Sequence, residues 1–195
     1  MKKLIALTGS AYSGKSTIAA ELSDHGYVRK KMSQTLKNML LQIPGVTEEM
    51  TEGSLKEVPQ DIFGGKTPRH AMQTLGTEWG RDTIFSNIWL ESWKRSISGM
   101  HNVVVEDLRF PNEAELIREL GGEIWRVTRP GHVGAGHSSE LEMKLIDPDV
   151  VIKNEGGLRE LQEMLSCLIN PLSTTVVNDT WEGEDVYAPP PYRKS

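Results

Sequence analysis

Gly9-Ser10-Ala11-Tyr12-Ser13-Gly14-Lys15-Ser16 is a complete G-x-x-x-x-G-K-[ST] string, set directly behind the apolar run Leu4-Ile5-Ala6-Leu7-Thr8. Beyond it, Ile18-Ala19-Ala20-Glu21-Leu22 continues as an amphipathic helix that Gly26 stops. A glycine-rich loop between a buried strand and a helix start turns backbone N–H groups inward around phosphate, at the positive end of the helix dipole. The string therefore predicts a triphosphate site. Gly9, Ser13, Gly14 and Thr17 form the cradle, Lys15 reaches the terminal phosphates, and Ser16 holds Mg²⁺. A glycine turn that merely joins strand to helix is the plainer reading; strand, loop and helix falling in the order a phosphate cradle needs speaks against it.

Working outward from the loop, apolar strand candidates alternate with helical patterns: Leu4 to Thr8, Tyr27 to Met32, Asn102 to Asp107, Ile124 to Arg129, and Val150 to Asn154. Strands separated by helices imply a parallel sheet covered on both faces, with ligands at the carboxyl ends of the strands. The expected architecture is an α/β three-layer fold over residues 1–170, with a five-stranded, mostly parallel sheet. A long, mostly helical insertion spans 33–99 and reads as the acceptor-binding region. Beyond about Asn170 the periodicity disappears and Pro189-Pro190-Pro191 precedes a polar end, so 171–195 reads as an extended tail.

Within the insertion, Gly64-Gly65-Lys66-Thr67 lacks the first glycine and the preceding strand of a second phosphate loop. Thr67 followed by Pro68 reads instead as a helix N-cap and first helical residue. On the helix this opens, Arg69, Gln73, Thr77 and Arg81 recur at i, i+4 along one face, with Met72, Leu75 and Trp79 on a core side. A solvated polar face would show a similar stripe, but Arg forks match phosphate and Gln can read a base edge. Trp79 could stack on a base, although packing is its plainer role. The third strand, Val103-Val104-Val105, ends in Glu106-Asp107 and runs on through Leu108-Arg109. An acid at that strand end is what a Mg²⁺-facing position beside the loop requires, and Asp107 is the choice made here. Arg109 either pairs with Asp107 or binds the acceptor phosphate. After the fourth strand, the segment 130–140 carries three glycines, which suits a short lid with Arg129 as its cation.

Net charge of −5 and a pI near 5.6 argue against a stable nucleic-acid footprint, which needs clustered cations. With 37% apolar and 25% charged residues, composition is that of an ordinary globular domain long enough to bury a core. The single cysteine, Cys167, forms no intramolecular disulfide, no His/Cys cluster has zinc spacing, and the N-terminus offers neither signal nor span. A cytoplasmic protein without membrane attachment is expected; oligomeric state stays open, a homodimer included.

Together, GSAYSGKST, the stretch from Thr67 to Arg81, VVVEDLRFPNEAE, His137 to Glu140, and Asp149 to Asn154 resemble the bacteriophage deoxynucleoside monophosphate kinases, a branch of the P-loop nucleoside monophosphate kinase superfamily. The resemblance runs from about Leu4 to Leu165. It implies transfer of the ATP γ-phosphoryl group to a deoxynucleoside monophosphate with Mg²⁺, in the host cytoplasm if the chain is phage-encoded. It also implies roles: Lys15 and Arg129 at the transferring phosphate, Asn154 on the nucleotide side, Arg69, Arg109 and Arg81 on the acceptor phosphate, and Gln73 at the acceptor base. Lys37 is a further acceptor-side candidate, against the plainer reading of a solvated lysine. One departure is that Glu106 stands where the family often has a first aspartate, which leaves two acids competing for the metal. Dephospho-coenzyme A kinases share the opening strand, loop and helix, and a nucleotide-dependent regulator, a DNA-processing ATPase or a binding module without turnover are the remaining readings.

Overall fold

The computed structural model describes residues 3–131 and 142–169. Most of the expected lid and all of the expected tail lie outside these residues. Five strands form one sheet in the order β2-β3-β1-β4-β5: β1 Lys3–Thr8, β2 Val28–Arg29, β3 Asn102–Val105, β4 Glu123–Thr128 and β5 Val150–Lys153. Every pairing is parallel, so the expectation of a mostly parallel sheet is met in full. β2 is much shorter than the Tyr27–Met32 run expected from the sequence. Beyond Arg29, the backbone stays on the sheet only through the Lys30 N–H donated to Val104 O at 2.9 Å, and then turns away to cap the next helix.

The apolar run of β1 explains the layering. Successive side chains of a strand point to opposite faces. Leu4 and Ala6 join Val103, Val105 and Ile124 in one core, with Trp93, Ile97, Ala114 and Ile117 from α5 (Ile88–Ser96) and α6 (Pro111–Glu119). Ile5 and Leu7 join Val104, Trp125, Val127 and Ile152 in the other. Its helical side comes from Ile18 and Leu22 of α1 (Lys15–Asp24) and from Leu161 and Leu165 of α7 (Leu158–Ile169). A continuous apolar strand is thus buried on both faces, as parallel sheets require. Because β1 lies between β3 and β4, the loop that follows it opens where the chain's direction of strand addition reverses, the usual ligand crevice of such sheets.

The insertion contains α2 (Gln34–Leu41), a single turn α3 (Glu48–Thr51), two short 3₁₀ turns and α4 (Pro68–Gln73). Thr67 Oγ1 accepts the His70 N–H at 3.1 Å, so the Thr-Pro pair does start α4. From Thr74 to Ile84, however, the helix widens to i→i+5 hydrogen bonding, a π-helix. Trp89 drives the widening: its Nε1 donates to Gly76 O at 2.7 Å, and its ring lies where a Cβ on Gly80 would sit, 2.5 Å away. A side chain inserted into the helical ladder reduces the turn per residue, so positions four apart no longer superpose. The expected stripe therefore breaks after Gln73, and the core side changes with it. Gly76 and Gly80 are buried, whereas Trp79 is 41% exposed.

Candidate active site

Strand β1 delivers Thr8 to the loop, and the loop closes on its own backbone. Gly9 and Gly14 take φ of 144° and 106°, and Tyr12 takes 62°. A Cβ at Gly9 would stand 2.2 Å from Val127 O, and one at Gly14 2.3 Å from Asn154 Nδ2, so only glycine fits at either position. Lys15 folds back over the loop and donates to Gly9 O at 2.7 Å and Ser10 O at 2.6 Å. Burial lowers its pKa to about 8, helped by the Arg109 charge and opposed by Glu106 and Asp107. Arg109 itself is exposed, and its charge acts on Lys15. Thr17 is exposed in the first turn of α1.

Asn154, just past β5, is buried and donates to Ser13 O at 2.9 Å, while its own N–H goes to Thr128 O at 2.8 Å. It braces the loop from behind. The buried hydroxyls Thr8 Oγ1 and Ser13 Oγ have no hydrogen-bond partner among the described residues, which is costly unless a ligand or water supplies one. That orphaned pair, beside a lysine and a cradle fitted by glycines, is the donor chemistry a polyphosphate would complete.

The two acids at the end of β3 have different partners. Asp107 does not face the loop serine: Oδ1 accepts the Met32 N–H at 2.8 Å, and Oδ2 accepts the N–H and hydroxyl of Ser33 at 3.1 and 2.7 Å. It caps α2. Glu106, 6% exposed, is the carboxylate whose charge Ser16 helps to stabilise. Arg29 donates to both its oxygens at 2.7 and 2.8 Å, and Lys31 stands 3.5 Å away. Burial pushes the Glu106 carboxyl up, but the Arg29 hydrogen bonds, the Lys31 and Arg29 charges and Ser16 together hold it below the usual range. The physical reason is alternation along the strand: consecutive residues point to opposite sides, so Glu106 meets Arg29 and Lys31 while Asp107 meets Met32 and Ser33. Among the described residues no group of three or more His, Cys, Asp or Glu could hold a metal. A Mg²⁺ here would take Ser16 and Glu106 from the protein and the rest of its oxygens from phosphate and water, as that ion commonly does.

From Glu106 a chain of ion pairs leads into the insertion. Lys31 also donates to Glu52 Oε2 at 3.1 Å, and Lys37 to Glu52 Oε1 at 2.8 Å. Lys37 is 8% exposed, so it is not a solvated lysine. Lys56 lies in the same field: burial and the charges of Lys37, Arg69 and Lys31 lower its pKa, against Glu52. Arg69 is paired with Glu57. Gln73 is exposed one turn beyond it. Trp79 lies with its ring 6.4 Å from that of Trp89 and lines an apolar groove of about 480 Å³ with Leu40, Ile43, Phe63 and Leu75. Arg81 has left this group for Glu113, at 3.5 Å, and the Phe110 ring, at 4.5 Å. Arg129 is exposed at the end of β4, next to the undescribed segment 132–141.

Sequence reasoning missed Arg29, Lys31, Glu52, Lys56 and Glu113. Only Glu113 left a local signal, standing two residues behind Pro111 where a helix N-terminus takes an acid.

Residues 53–165 match the family model described as deoxynucleotide monophosphate kinase. The chain belongs to the deoxynucleotide monophosphate kinase family. A protein of Acanthamoeba polyphaga mimivirus, itself only provisionally given that name, is 34% identical over 187 residues, covering 86% of this chain and 96% of its own. The deoxynucleotide monophosphate kinase of Enterobacteria phage T4 is 31% identical over 113 residues, 55% of this chain and 47% of that one. Among solved structures, shikimate kinase from Aquifex aeolicus superimposes with a TM-score of 0.52 at 13% identity, covering 88% of this chain and 99% of that chain. That likeness supports the fold alone. The family match begins after the phosphate loop, so it rests on the insertion, the β3 acids and the later strands rather than on the loop that many families share.

Proposed function

We propose that this kinase transfers the γ-phosphoryl group of ATP to the 5′-phosphate of a deoxynucleoside monophosphate, giving the diphosphate and ADP. An acceptor phosphate oxygen forms the new bond to Pγ as the bond to the bridging oxygen of ADP breaks. No general base is required, because a phosphate monoester with a second pKa near 6 is already largely ionised at neutral pH. The difficulty is to bring two polyanions together in line, so the work falls to cations and positioning.

The loop N–H groups, Ser13 and Lys15 would hold the donor phosphates, and Ser16 with Glu106 would hold Mg²⁺, which when bound neutralises charge on the donor. Lys15 at a pKa near 8 keeps its proton at neutral pH. Arg109, close to Lys15, stands between donor and acceptor, and Arg129 is the candidate lid cation. Arg69, Lys37, Lys31 and Lys56 form the acceptor phosphate face, with Glu52 and Glu57 balancing their charge until an anion arrives. Gln73 and Trp79 then offer an amide and a ring toward the acceptor base.

The observation that carries this reading is the chain of ion pairs from Glu106, whose charge acts on Lys15 of the loop, through Lys31 and Glu52 to Lys37, which leads from the donor loop to a cationic patch on the insertion. A coupled ADP-release assay against each deoxynucleoside monophosphate and dephospho-coenzyme A tests it. Turnover with one or more deoxynucleoside monophosphates is expected; ATP hydrolysis indifferent to every acceptor, or stimulated only by DNA, would overturn it. Arg69→Ala should raise KM for the acceptor about tenfold or more while changing KM for ATP little. Equal effects on both substrates would remove Arg69 from the acceptor face.

A further inference from the structure

Glu113 is the buried carboxylate that the proposed chemistry leaves unused. It is 4% exposed, and its two oxygens have separate partners. Oε2 accepts the N–H groups of Arg109 at 2.8 Å and Phe110 at 3.1 Å, which fixes the backbone of the loop that carries Arg109. Oε1 stands 3.5 Å from the Arg81 guanidinium, whose carbon lies 4.5 Å over the Phe110 ring. Arg81 belongs to the insertion, at the far end of the π-helix, whereas Glu113 and Phe110 belong to the start of α6. Capping α6 needs only an oxygen, which a neutral side chain could supply. A buried charge is costly unless something holds it, so the charge on Oε1 serves more than the cap.

We propose that Glu113 and Arg81 form a clasp that positions the acceptor-binding insertion against the loop of Arg109. The inference rests on the kinase reading above. Both are positioning residues, acting through Arg109 and through the insertion rather than on substrate. The π-helix makes the clasp geometrically accessible, since in an unbroken α-helix Arg81 would continue the Arg69 and Gln73 face instead.

The clasp is sensitive to pH. The charged groups facing Glu113 are Arg81 from the π-helix and Asp107 from the end of β3, with the Arg109 and Phe110 N–H groups from its own loop. Burial raises the Glu113 carboxyl from 4.5 to about 7; Asp107 pushes the same way, and the N–H groups and Arg81 oppose. With Oε2 bound by two N–H groups, the proton goes to Oε1, and the ion pair opens as pH falls below about 7. A folded-state pKa above the unfolded one means that Glu113 favours the fold fully only below 4.5, and that this contribution is lost as pH rises through about 7. The closed clasp therefore holds position at the expense of stability.

Glu113→Gln keeps an oxygen for the two N–H groups and removes the charge; Arg81→Gln removes the partner from a partly exposed site. At pH 8 each should raise KM for the deoxynucleoside monophosphate about tenfold with KM for ATP unchanged, and the double variant should be no worse than either. Between pH 8 and 6 the wild-type KM should rise more steeply than that of Glu113→Gln, the acceptor's own protonation being common to both. Hydrogen exchange reads the clasp without turnover: at pH 8 the amides of 74–84 should exchange faster in both variants than in wild type. Additive effects, or a Glu113→Gln protein with wild-type KM and wild-type exchange, would overturn the clasp, as would a lowered melting temperature with neither parameter moved. If wild-type protein phosphorylates no deoxynucleoside monophosphate, the functional reading falls, and the exchange comparison still decides the clasp.

Discussion

Residues 9–16 and residues 33–99 are ordered by different means. The phosphate loop is held by its own backbone: two left-handed glycines, and Lys15 bonded to the carbonyls of Gly9 and Ser10, with Asn154 as a brace from β5. The insertion is held by partners from elsewhere in the chain. Ser33 is bonded by Asp107, Lys31 bridges Glu52 and Glu106, and Arg81 reaches Glu113; within the insertion, Trp89 rewrites the helix at Gly76 and Gly80. A site that must meet an invariant triphosphate can be built into one contiguous stretch. The face proposed for the second substrate is assembled from segments far apart in the chain.

The largest effect expected from breaking this contrast is on the loop. Lys15→Ala should lower kcat on the order of 10²- to 10³-fold while leaving the circular dichroism spectrum native, because the two bonds lost lie within the loop and the sheet and helices around it keep their cores. Near-normal turnover in a folded protein would mean that the loop is not the donor site. The adjacent acids sharpen the boundary between the two regions. Glu106→Gln should reduce kcat and raise the Mg²⁺ concentration needed for half-maximal rate, whereas Asp107→Asn should cost about 1–3 kcal/mol of stability through the weakened bonds to Met32 and Ser33 and leave the Mg²⁺ requirement unchanged. The reverse pattern, read by metal titration and denaturant melts, would return Asp107 to the metal.

A smaller effect follows from the Lys15 pKa near 8. A bound polyanion raises that pKa, so ATP binding above pH 8 must take up a proton and should weaken as pH rises further. Calorimetry in buffers of different ionisation enthalpy measures the uptake. An ATP affinity flat from pH 7.5 to about 9.5 would show that Lys15 is already fully charged in the free loop.

Much of the fold was legible because its signals are local. The β1 run, the loop, the five strand candidates and the Thr67-Pro68 helix start all appear where expected, within a residue or two except at β2. The misreadings share one cause. Choosing between Glu106 and Asp107 depends on which side of the sheet the chain leaves β3, and on Ser33 arriving to take the other acid. The Arg69 to Arg81 stripe was projected on an ideal α-helix, and Trp89, eight residues beyond it, spoils that geometry. Lys37 reads as solvated until Glu52 is seen to bury it.

By itself, then, the sequence determined a triphosphate loop at the head of a parallel α/β sheet, because a phosphate cradle is made from consecutive backbone atoms and its residue types are forced by left-handed φ and close approach. Tertiary structure alone decided which acid meets Ser16, which cations gather around Glu52, and that Arg81 grips Glu113 instead of lining up with Arg69. Those are contacts between segments far apart in the chain. Long-range pairing of charges leaves no periodic trace in the order of residues, since any lysine and any glutamate will serve once the fold has brought them within reach.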